Sequence, residues 1–231
     1  MASSKPSAST IVLLVRHGRT PTTGKILPGR AKGLHLAPEG VAQAEEVGRS
    51  LAEWQANQAP KSAKQRPSAS GKGIAAVYAS PMERTYETAT PIARSLGLRV
   101  RKNKGLLEAD FGDWTGKKLK DLYKKPEWET VQRYPSGFRF PGGESFAEMQ
   151  LRMVAALAEL SRAHVGETIV AVSHADTIKA AAAHALGTHL DLFQRIVINP
   201  CTVTAIQYTA NGPYVLGLNT TGSNLQAVVT G

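Results

Sequence analysis

Three short apolar segments, rich in β-branched residues, constrain the fold of this chain more than any other feature. They cover residues 10–15, 74–79 and 168–172, and longer segments with helical periodicity separate them. Strands that are apolar on both faces need a layer of helices on each side, because a sheet with one solvated face shows alternating polar residues. The pattern therefore predicts the α/β class, with a three-layer α/β/α sandwich around a mainly parallel central sheet.

The segments between the apolar runs predict the helical layers. Helical patterns occupy residues 38–55, 80–97, 144–164 and 176–187. Ser80-Pro81 resembles a helix start, since proline is favoured in the first turn, and Gly97 resembles a helix end. Residues 201–208 and 214–219 predict two closing strands, joined by a hairpin turn at 211–213.

The positive charge of the chain first raises the question of a nucleic-acid partner. The 231 residues carry a formal net charge of +10. Much of the excess lies in two segments, 61–72 and 117–125. The first lacks periodicity and interleaved aromatic residues, and the second is typical of a solvated helix face. We therefore expect no nucleic-acid partner.

Composition and termini predict a single domain over residues 10–231, after a disordered tail at 1–9. No apolar run approaches the roughly 18 to 20 residues that span a bilayer. The tail resembles neither a signal peptide nor an arginine-rich transit peptide. Cys201 is the only cysteine, which excludes an intrachain disulfide and suits a small packed residue in a reducing compartment. We expect a cytoplasmic monomer or homodimer without membrane association.

Polar side chains follow the three predicted central strands. Arg16 and His17 end the first strand, Arg84 lies one turn beyond the second, and His174 follows the third. Taken singly, each has an ordinary structural explanation, as a satisfied polar group or a surface ion pair. The carboxyl ends of parallel strands, however, surround the ligand crevice of an open α/β sheet. We therefore expect two arginines and two histidines to converge at one edge.

Phosphoryl transfer needs this set of groups. Guanidinium groups and helix N-termini bind phosphate oxygens, Gly18 would let the backbone approach the anion, and a fixed imidazole can attack phosphorus. The sequence has no Walker A motif and no carboxylate cluster with metal-ligand spacing. We therefore expect arginine and imidazolium, rather than a metal or another cofactor, to neutralise the phosphate.

Four ordered motifs resemble the histidine phosphatase superfamily, which is also called phosphoglycerate mutase-like. They are LVRHGRT at 14–20, SPMERTYETA at 80–89, LLEADFGDWTG at 106–116 and VSHADTIKA at 172–180. The resemblance covers about residues 10–220 and is strongest to a bacterial branch of phosphomutases or phosphatases. It implies the phosphoglycerate mutase-like fold and a small phosphorylated metabolite as substrate.

The resemblance also implies the roles of individual residues. His17 would be the nucleophile that becomes phosphohistidine, Glu108 the proton donor, and His174 the second imidazole of the pocket. The implied substrate-binding residues are Arg16, Gly18, Thr23, Arg84 and Ala175. No residue is implied as a metal ligand.

Some positions depart from the family pattern. Thr23 stands where many members have a phosphate-contacting asparagine, and Arg19 where many have a glutamate. Ala109 and Asp110 follow Glu108, where mutases typically have an arginine for a second phosphate. An additional carboxylate at this place would repel a bisphosphate.

These departures favour hydrolysis over phosphoryl transfer between positions of one metabolite. We expect a metal-independent phosphatase that hydrolyses phosphomonoesters through phosphohistidine and releases inorganic phosphate. The alternatives are a phosphoglycerate-type phosphomutase and a non-catalytic phosphate-binding protein. Residues 115–143 are expected to form a lid, whose Lys, Trp and Tyr residues either select the substrate or form a solvated face.

Overall fold

A six-stranded sheet forms the centre of the structure, a computed structural model that describes residues 9–58, 73–221 and 224–225. The strands are β1 (Thr10–Arg16), β2 (Ile74–Ala79), β3 (Val100–Lys102), β4 (Thr168–Ser173), β5 (Val203–Thr209) and β6 (Gly212–Thr220). They lie in the order β3-β2-β4-β1-β5-β6. The first four of this order pair in parallel, whereas β5 and β6 add antiparallel pairs at one side. The predicted mainly parallel sheet is confirmed.

Helices cover both faces of this sheet. They are α1 (Pro38–Gln58), α2 (Glu83–Ser95), α3 (Leu119–Leu122), α4 (Glu127–Arg133), α5 (Phe146–Ala163) and α6 (Ala175–Ala185). On one face, Leu51 of α1 and Ile92 of α2 belong to one buried cluster with alternate residues of β1. On the other face, Leu157 of α5 and Ile178 of α6 share a second cluster with the intervening residues of β1. The three-layer α/β/α arrangement is therefore confirmed.

The predicted start of α2 at Ser80-Pro81 is wrong. The helix begins at Glu83, with Met82 in extended conformation before it. The Thr85 hydroxyl donates to the Met82 carbonyl at 2.7 Å and to the Ser80 carbonyl at 2.8 Å. Ser80 therefore lies outside the helix, directly after β2. There its side chain contacts His174, which follows β4.

The closing hairpin is confirmed, but one strand escaped the sequence analysis. Thr209 pairs with Gly212 across the turn between β5 and β6, close to the predicted position. The missed strand β3 has three residues, two of them exposed, and so carries too short an apolar pattern to recognise. It pairs with the outer side of β2, away from the centre of the sheet.

The predicted lid segment, 115–143, is packed against two parts of the structure. Ile26 and Lys118 form an antiparallel bridge, which ties the start of the segment to the loop after β1. Trp114 packs against Phe138 and Phe140, with ring centroids 5.5 Å apart in both pairs. These contacts hold the segment against the loop after β1 and against Trp114; its movement as a lid stays a prediction.

Several expectations concern parts of the chain away from the sheet. Residues 1–8 of the predicted tail and the basic segment 61–72 lie outside the described residues, and the predicted single domain over 10–231 stays a prediction. Within the described ranges, no helix has the length and apolar character that a bilayer crossing requires. Cys201 packs against the buried cluster under α1, and burial raises the pKa of its thiol to about 12.

Candidate active site

The candidate site lies at the carboxyl ends of β1, β2 and β4. The backbone N–H of His17 donates to the Ser173 carbonyl at 3.0 Å, which aligns the ends of β1 and β4. The rings of His17 and His174 meet edge to face, with centroids 5.3 Å apart. Arg84 NH2 reaches His174 Nδ1 at 3.1 Å. The two histidines and Arg84, distant in sequence, therefore converge as predicted.

The ring of His17 is held in one tautomer. Its Nδ1 lies 2.8 Å from the carbonyl oxygen of Gly18. Because a carbonyl only accepts, Nδ1 carries the proton and Nε2 keeps its lone pair. Burial, with further contributions from Arg84 and Arg16, lowers the pKa of His17 to about 3. His17 is therefore a neutral imidazole with an unprotonated Nε2 at neutral pH.

His174 is also neutral, which differs from the imidazolium that the sequence analysis expected. Arg84 NH2 donates to its Nδ1, so the ring proton lies on Nε2, which is 2.9 Å from Ser80 Oγ. Burial, followed by the charge of Arg84, lowers the pKa of His174 well below its usual value. In this state the positive charge of the site comes from the arginines.

Three buried guanidinium donors of Arg16 and Arg84 have no acceptor among the described residues. They are Arg16 Nε, Arg84 Nε and Arg84 NH1. Neighbouring donors of the same side chains are fixed, since Arg16 NH1 donates to the Ile198 carbonyl at 2.7 Å and Arg84 NH2 to the Gly29 carbonyl at 2.8 Å. Buried donors are normally paired, so this set is suited to an anion with several acceptor oxygens.

The first turn of α6 contributes to the same anion site. The helix begins at Ala175, and its cap residue His174 makes no side-chain capping bond. The first backbone N–H groups of a helix lack partners within the helix and carry partial positive charge. This arrangement supports the predicted role of Ala175, whose backbone would bind a phosphate oxygen.

Glu108 has the properties of a proton donor. Its side chain is buried, and its Oε1 accepts from the Ala109 N–H at 3.0 Å. Burial, and next the charge of Asp176, raise the pKa of Glu108 to about 7. Near neutral pH the group can therefore hold a proton and also release it.

A partly buried ion-pair network holds the backbone of Glu108. Its carbonyl oxygen accepts from Arg30 Nε at 2.9 Å and from Arg152 NH2 at 3.3 Å. Glu144 joins the two arginines, with Arg30 NH2 at 2.8 Å and Arg152 Nε at 2.9 Å from its carboxylate. Sequence reasoning missed these three residues. Arg30 and Arg152 are 122 positions apart (152 − 30), and only the tertiary fold brings them together.

A cavity of about 220 Å³ opens beside these groups. The lining residues among those described are Arg16, His17, Thr20, Thr23, Gly24, Ile26, Leu27, Pro28, Glu108, Phe111, Leu119, Ala175 and Asp176. Sequence reasoning missed Thr20 and Asp176, although both lie inside the motifs that identify the site. The motif sequence alone does not show which of its residues face the cavity, because this depends on the path of the backbone after each strand.

Thr23 and Gly18 differ in their relation to the cavity. Thr23 lines it, and its Oγ1 accepts from the Thr20 N–H at 2.8 Å. Gly18 donates its N–H to Thr88 Oγ1 at 3.0 Å, and a Cβ at this position would lie 2.5 Å from the Gly40 carbonyl oxygen. Packing against α1 therefore requires a glycine here, while contact between Gly18 and the anion stays a prediction.

The carboxylate that accompanies Glu108 in the cavity is Asp176, and not Asp110 as expected. Asp110 Oδ2 lies 3.4 Å from Arg30 NH1 and its Oδ1 accepts from the Gly112 N–H at 3.1 Å, so its carboxylate is engaged outside the lining. From the segment 115–143, Leu119 lines the cavity rather than a Lys, Trp or Tyr residue.

Comparison with known proteins decides the family. The family profile of the histidine phosphatase superfamily (branch 1) matches residues 12–70 and 58–221. The chain belongs to this superfamily. The match includes all four motifs and so places His17, Arg84, Glu108 and His174 within a histidine phosphatase sequence.

Proteins similar to this chain include a phosphatase and a probable mutase. Phosphoserine phosphatase 1 of Hydrogenobacter thermophilus is 31% identical over 155 residues, which cover 63% of this chain and 70% of that protein. A probable phosphoglycerate mutase of an Enterobacter species is 28% identical, with 85% and 84% covered. Mycobacterial relatives at 31% identity are matched over only 39% of their own length.

Solved structures share the fold of this chain. A mycobacterial glucosyl-3-phosphoglycerate phosphatase superposes with a TM-score of 0.75 at 20% identity, and the alignment covers 92% of this chain and 100% of that chain. The phosphoglycerate mutase-like architecture expected from the motifs is thereby confirmed.

Proposed function

We propose that this chain is a metal-independent phosphatase that hydrolyses small phosphomonoesters through a phosphohistidine intermediate at His17. One observation carries the proposal: a neutral imidazole with an unprotonated Nε2 lies beside three buried guanidinium donors that have no acceptor in the part of the chain that the structure describes. A nucleophile at an anion-binding site has the arrangement that covalent phosphoryl transfer requires.

The first half-reaction transfers the phosphoryl group to the enzyme. His17 Nε2 attacks phosphorus, and the bond between phosphorus and the ester oxygen breaks. Arg16 and Arg84 donate to the oxygens of the transferring group, which keeps its charge balanced as it moves. Glu108 gives its proton to the departing alkoxide, so the alcohol leaves neutral.

The second half-reaction returns the enzyme to its starting state. The Glu108 carboxylate, now ionised, accepts a proton from a water molecule that attacks phosphorus. The bond between phosphorus and Nε2 breaks, inorganic phosphate is released, and His17 is again a neutral imidazole. One carboxyl thus serves as acid and then as base, which its pKa of about 7 favours.

Hydrolysis is favoured over a mutase reaction by the charges of the cavity. A mutase must bind an alcohol that carries a second anionic group, and its typical arginine is replaced here by Ala109. Among the described lining residues, Arg16 is the only cation that is permanently charged, and Asp176 adds a negative charge. The similar phosphoserine phosphatase makes phosphorylated amino acids reasonable first substrates to test. A cytoplasmic location and a monomeric or homodimeric state remain predictions.

A substrate panel with and without a chelator tests the proposed function directly. We expect turnover of at least one small phosphomonoester, from a panel of phosphoserine, phosphoglycerates and sugar phosphates, to persist after exhaustive EDTA treatment. Among the described residues, no group of three or more His, Cys, Asp or Glu could hold a metal. Vanadate, which adopts the geometry of the transferring phosphoryl group, should inhibit. Strict dependence on an added divalent cation would contradict the proposal.

The pH dependence of kcat/KM provides a second test. Because Glu108 must be protonated to act as acid, kcat/KM for alkyl phosphates should fall as the pH rises above about 7. On the acid side His17 should stay neutral until the pH approaches about 3. The Glu108→Gln variant should lose the alkaline limb. A wild-type profile that keeps rising to pH 9 would exclude Glu108 as the acid.

A further inference from the structure

The cavity contains one carboxylate that the proposed reaction does not use. Asp176 lies in the first turn of α6 and lines the cavity together with Arg16 and Glu108. The apolar part of the lining consists of Ile26, Leu27, Pro28, Phe111 and Leu119. Once Arg16 holds the phosphate, the alcohol part of a substrate therefore meets an apolar wall and the charge of Asp176.

The charge of Asp176 is only partly balanced by a neighbouring lysine. Lys179 Nζ lies 3.3 Å from Asp176 Oδ1, and the same Nζ donates to Gln194 Oε1 at 3.1 Å. Within the described residues no donor bonds Asp176 Oδ2, and the side chain is 20% exposed. One carboxylate oxygen is therefore available to a group inside the cavity.

We propose that Asp176 binds an ammonium group on the alcohol part of the substrate, so that the enzyme acts on phosphomonoesters of small amino alcohols. The inference rests on the proposed function of the same site. An ammonium group donates to a carboxylate oxygen with charge assistance, whereas a second carboxylate or phosphate is repelled at this place. A cavity of about 220 Å³ has room for a short-chain ester.

A purely structural role for Asp176 makes a different prediction. Asp176 and Lys179 are three residues apart on α6, so their ion pair could serve the helix alone. In that case, replacing Asp176 and replacing Lys179 have the same effect on the preference between substrates. If Asp176 recognises the substrate, removal of Lys179 strengthens its attraction for an ammonium group, and removal of Asp176 abolishes it.

Three esters of equal chain length separate these roles: 2-aminoethyl phosphate, 2-hydroxyethyl phosphate and phosphoglycolate. We compare kcat/KM for each ester in wild type, Asp176→Asn and Lys179→Gln, with p-nitrophenyl phosphate as a substrate without either group. Wild type should have a higher kcat/KM for 2-aminoethyl phosphate than for phosphoglycolate. The ratio of these two values is the quantity compared between variants. Asp176→Asn should lower this ratio by about tenfold or more, the scale of one charge-assisted hydrogen bond. Lys179→Gln should raise it.

The outcomes distinguish this inference from the function on which it rests. Ratios between esters cancel any effect of Asp176 that is common to all substrates, including its effect on Glu108. Turnover with a ratio that stays unchanged in Asp176→Asn, or that falls equally in Lys179→Gln, would overturn the inference and leave the phosphatase function standing. Failure of wild type to hydrolyse 2-aminoethyl phosphate, while it hydrolyses p-nitrophenyl phosphate or another ester, would likewise overturn the inference alone. Absence of turnover of these four esters and of every ester in the substrate panel would overturn the proposed function and this inference with it.

Discussion

Replacement of His17 by alanine should reduce turnover of phosphomonoesters by about 10⁴-fold or more, the scale on which enzymes lose activity with their nucleophile. The imidazole Nε2 of His17 is the atom that forms the bond to phosphorus. The neighbouring neutral imidazole, His174, has both ring nitrogens engaged, by Arg84 and by Ser80. Steady-state turnover of the best ester from the panel measures the effect.

Two controls keep this result specific. His184→Ala removes an exposed histidine at the far end of α6 and should leave turnover within about twofold of wild type, as surface changes usually do. His17→Ala should still bind vanadate or phosphate, because Arg16 and Arg84 remain, and calorimetry measures this binding. Turnover of the His17→Ala variant within tenfold of wild type would remove His17 from the mechanism.

Replacement of Glu108 by glutamine should slow the hydrolysis of alkyl phosphates by about 10² to 10⁴-fold, the usual contribution of general acid catalysis. Glutamine keeps the size of the side chain but has no acidic proton to give to the departing alkoxide. The matched control is Asp113→Asn, an exposed carboxylate five residues further along the same loop, which should leave the rate nearly unchanged. Rapid-quench kinetics of the first turnover measure the transfer step alone.

The dependence on the leaving group decides whether Glu108 acts as the acid. An aryl phosphate has an acidic phenol that departs without help, so the burst with p-nitrophenyl phosphate should slow far less than the burst with an alkyl ester. Single turnovers are needed because the same carboxylate also activates water in the second step. If both bursts fall by the same factor, the donor lies elsewhere, and Asp176, the other carboxylate that lines the cavity, is the next to replace.

The sequence predicted the central strands and the residues at their ends because those signals are local. Continuous apolar runs mark β1, β2 and β4, and His17, Arg84 and His174 follow these strands within a few residues. The rule that parallel strands present their carboxyl ends at one edge then brings His17 and His174 together without further information.

The features that the sequence missed depend on tertiary contacts. Arg30, Glu144 and Arg152 hold the Glu108 backbone from three separate parts of the chain. The neutral state of His174 follows from its burial beside Arg84, which no local pattern records.

The confusion of Asp110 with Asp176 has a similar cause. Both carboxylates lie two residues C-terminal to a catalytic candidate. The path of the loop turns Asp110 toward Arg30, while the first turn of α6 brings Asp176 to the cavity. The spacing of these residues in the sequence does not show which of the two carboxylates faces the cavity.

Chemical identification of the phosphorylated residue during turnover tests the central claim most directly. Denaturation in alkali while the enzyme turns over substrate, followed by mass spectrometry, should locate one phosphoryl group on His17. The group should be stable to alkali, lost in acid, and absent from the His17→Ala variant. A phosphoryl group on a serine or an aspartate, or turnover without any phosphorylated enzyme, would contradict the proposed mechanism.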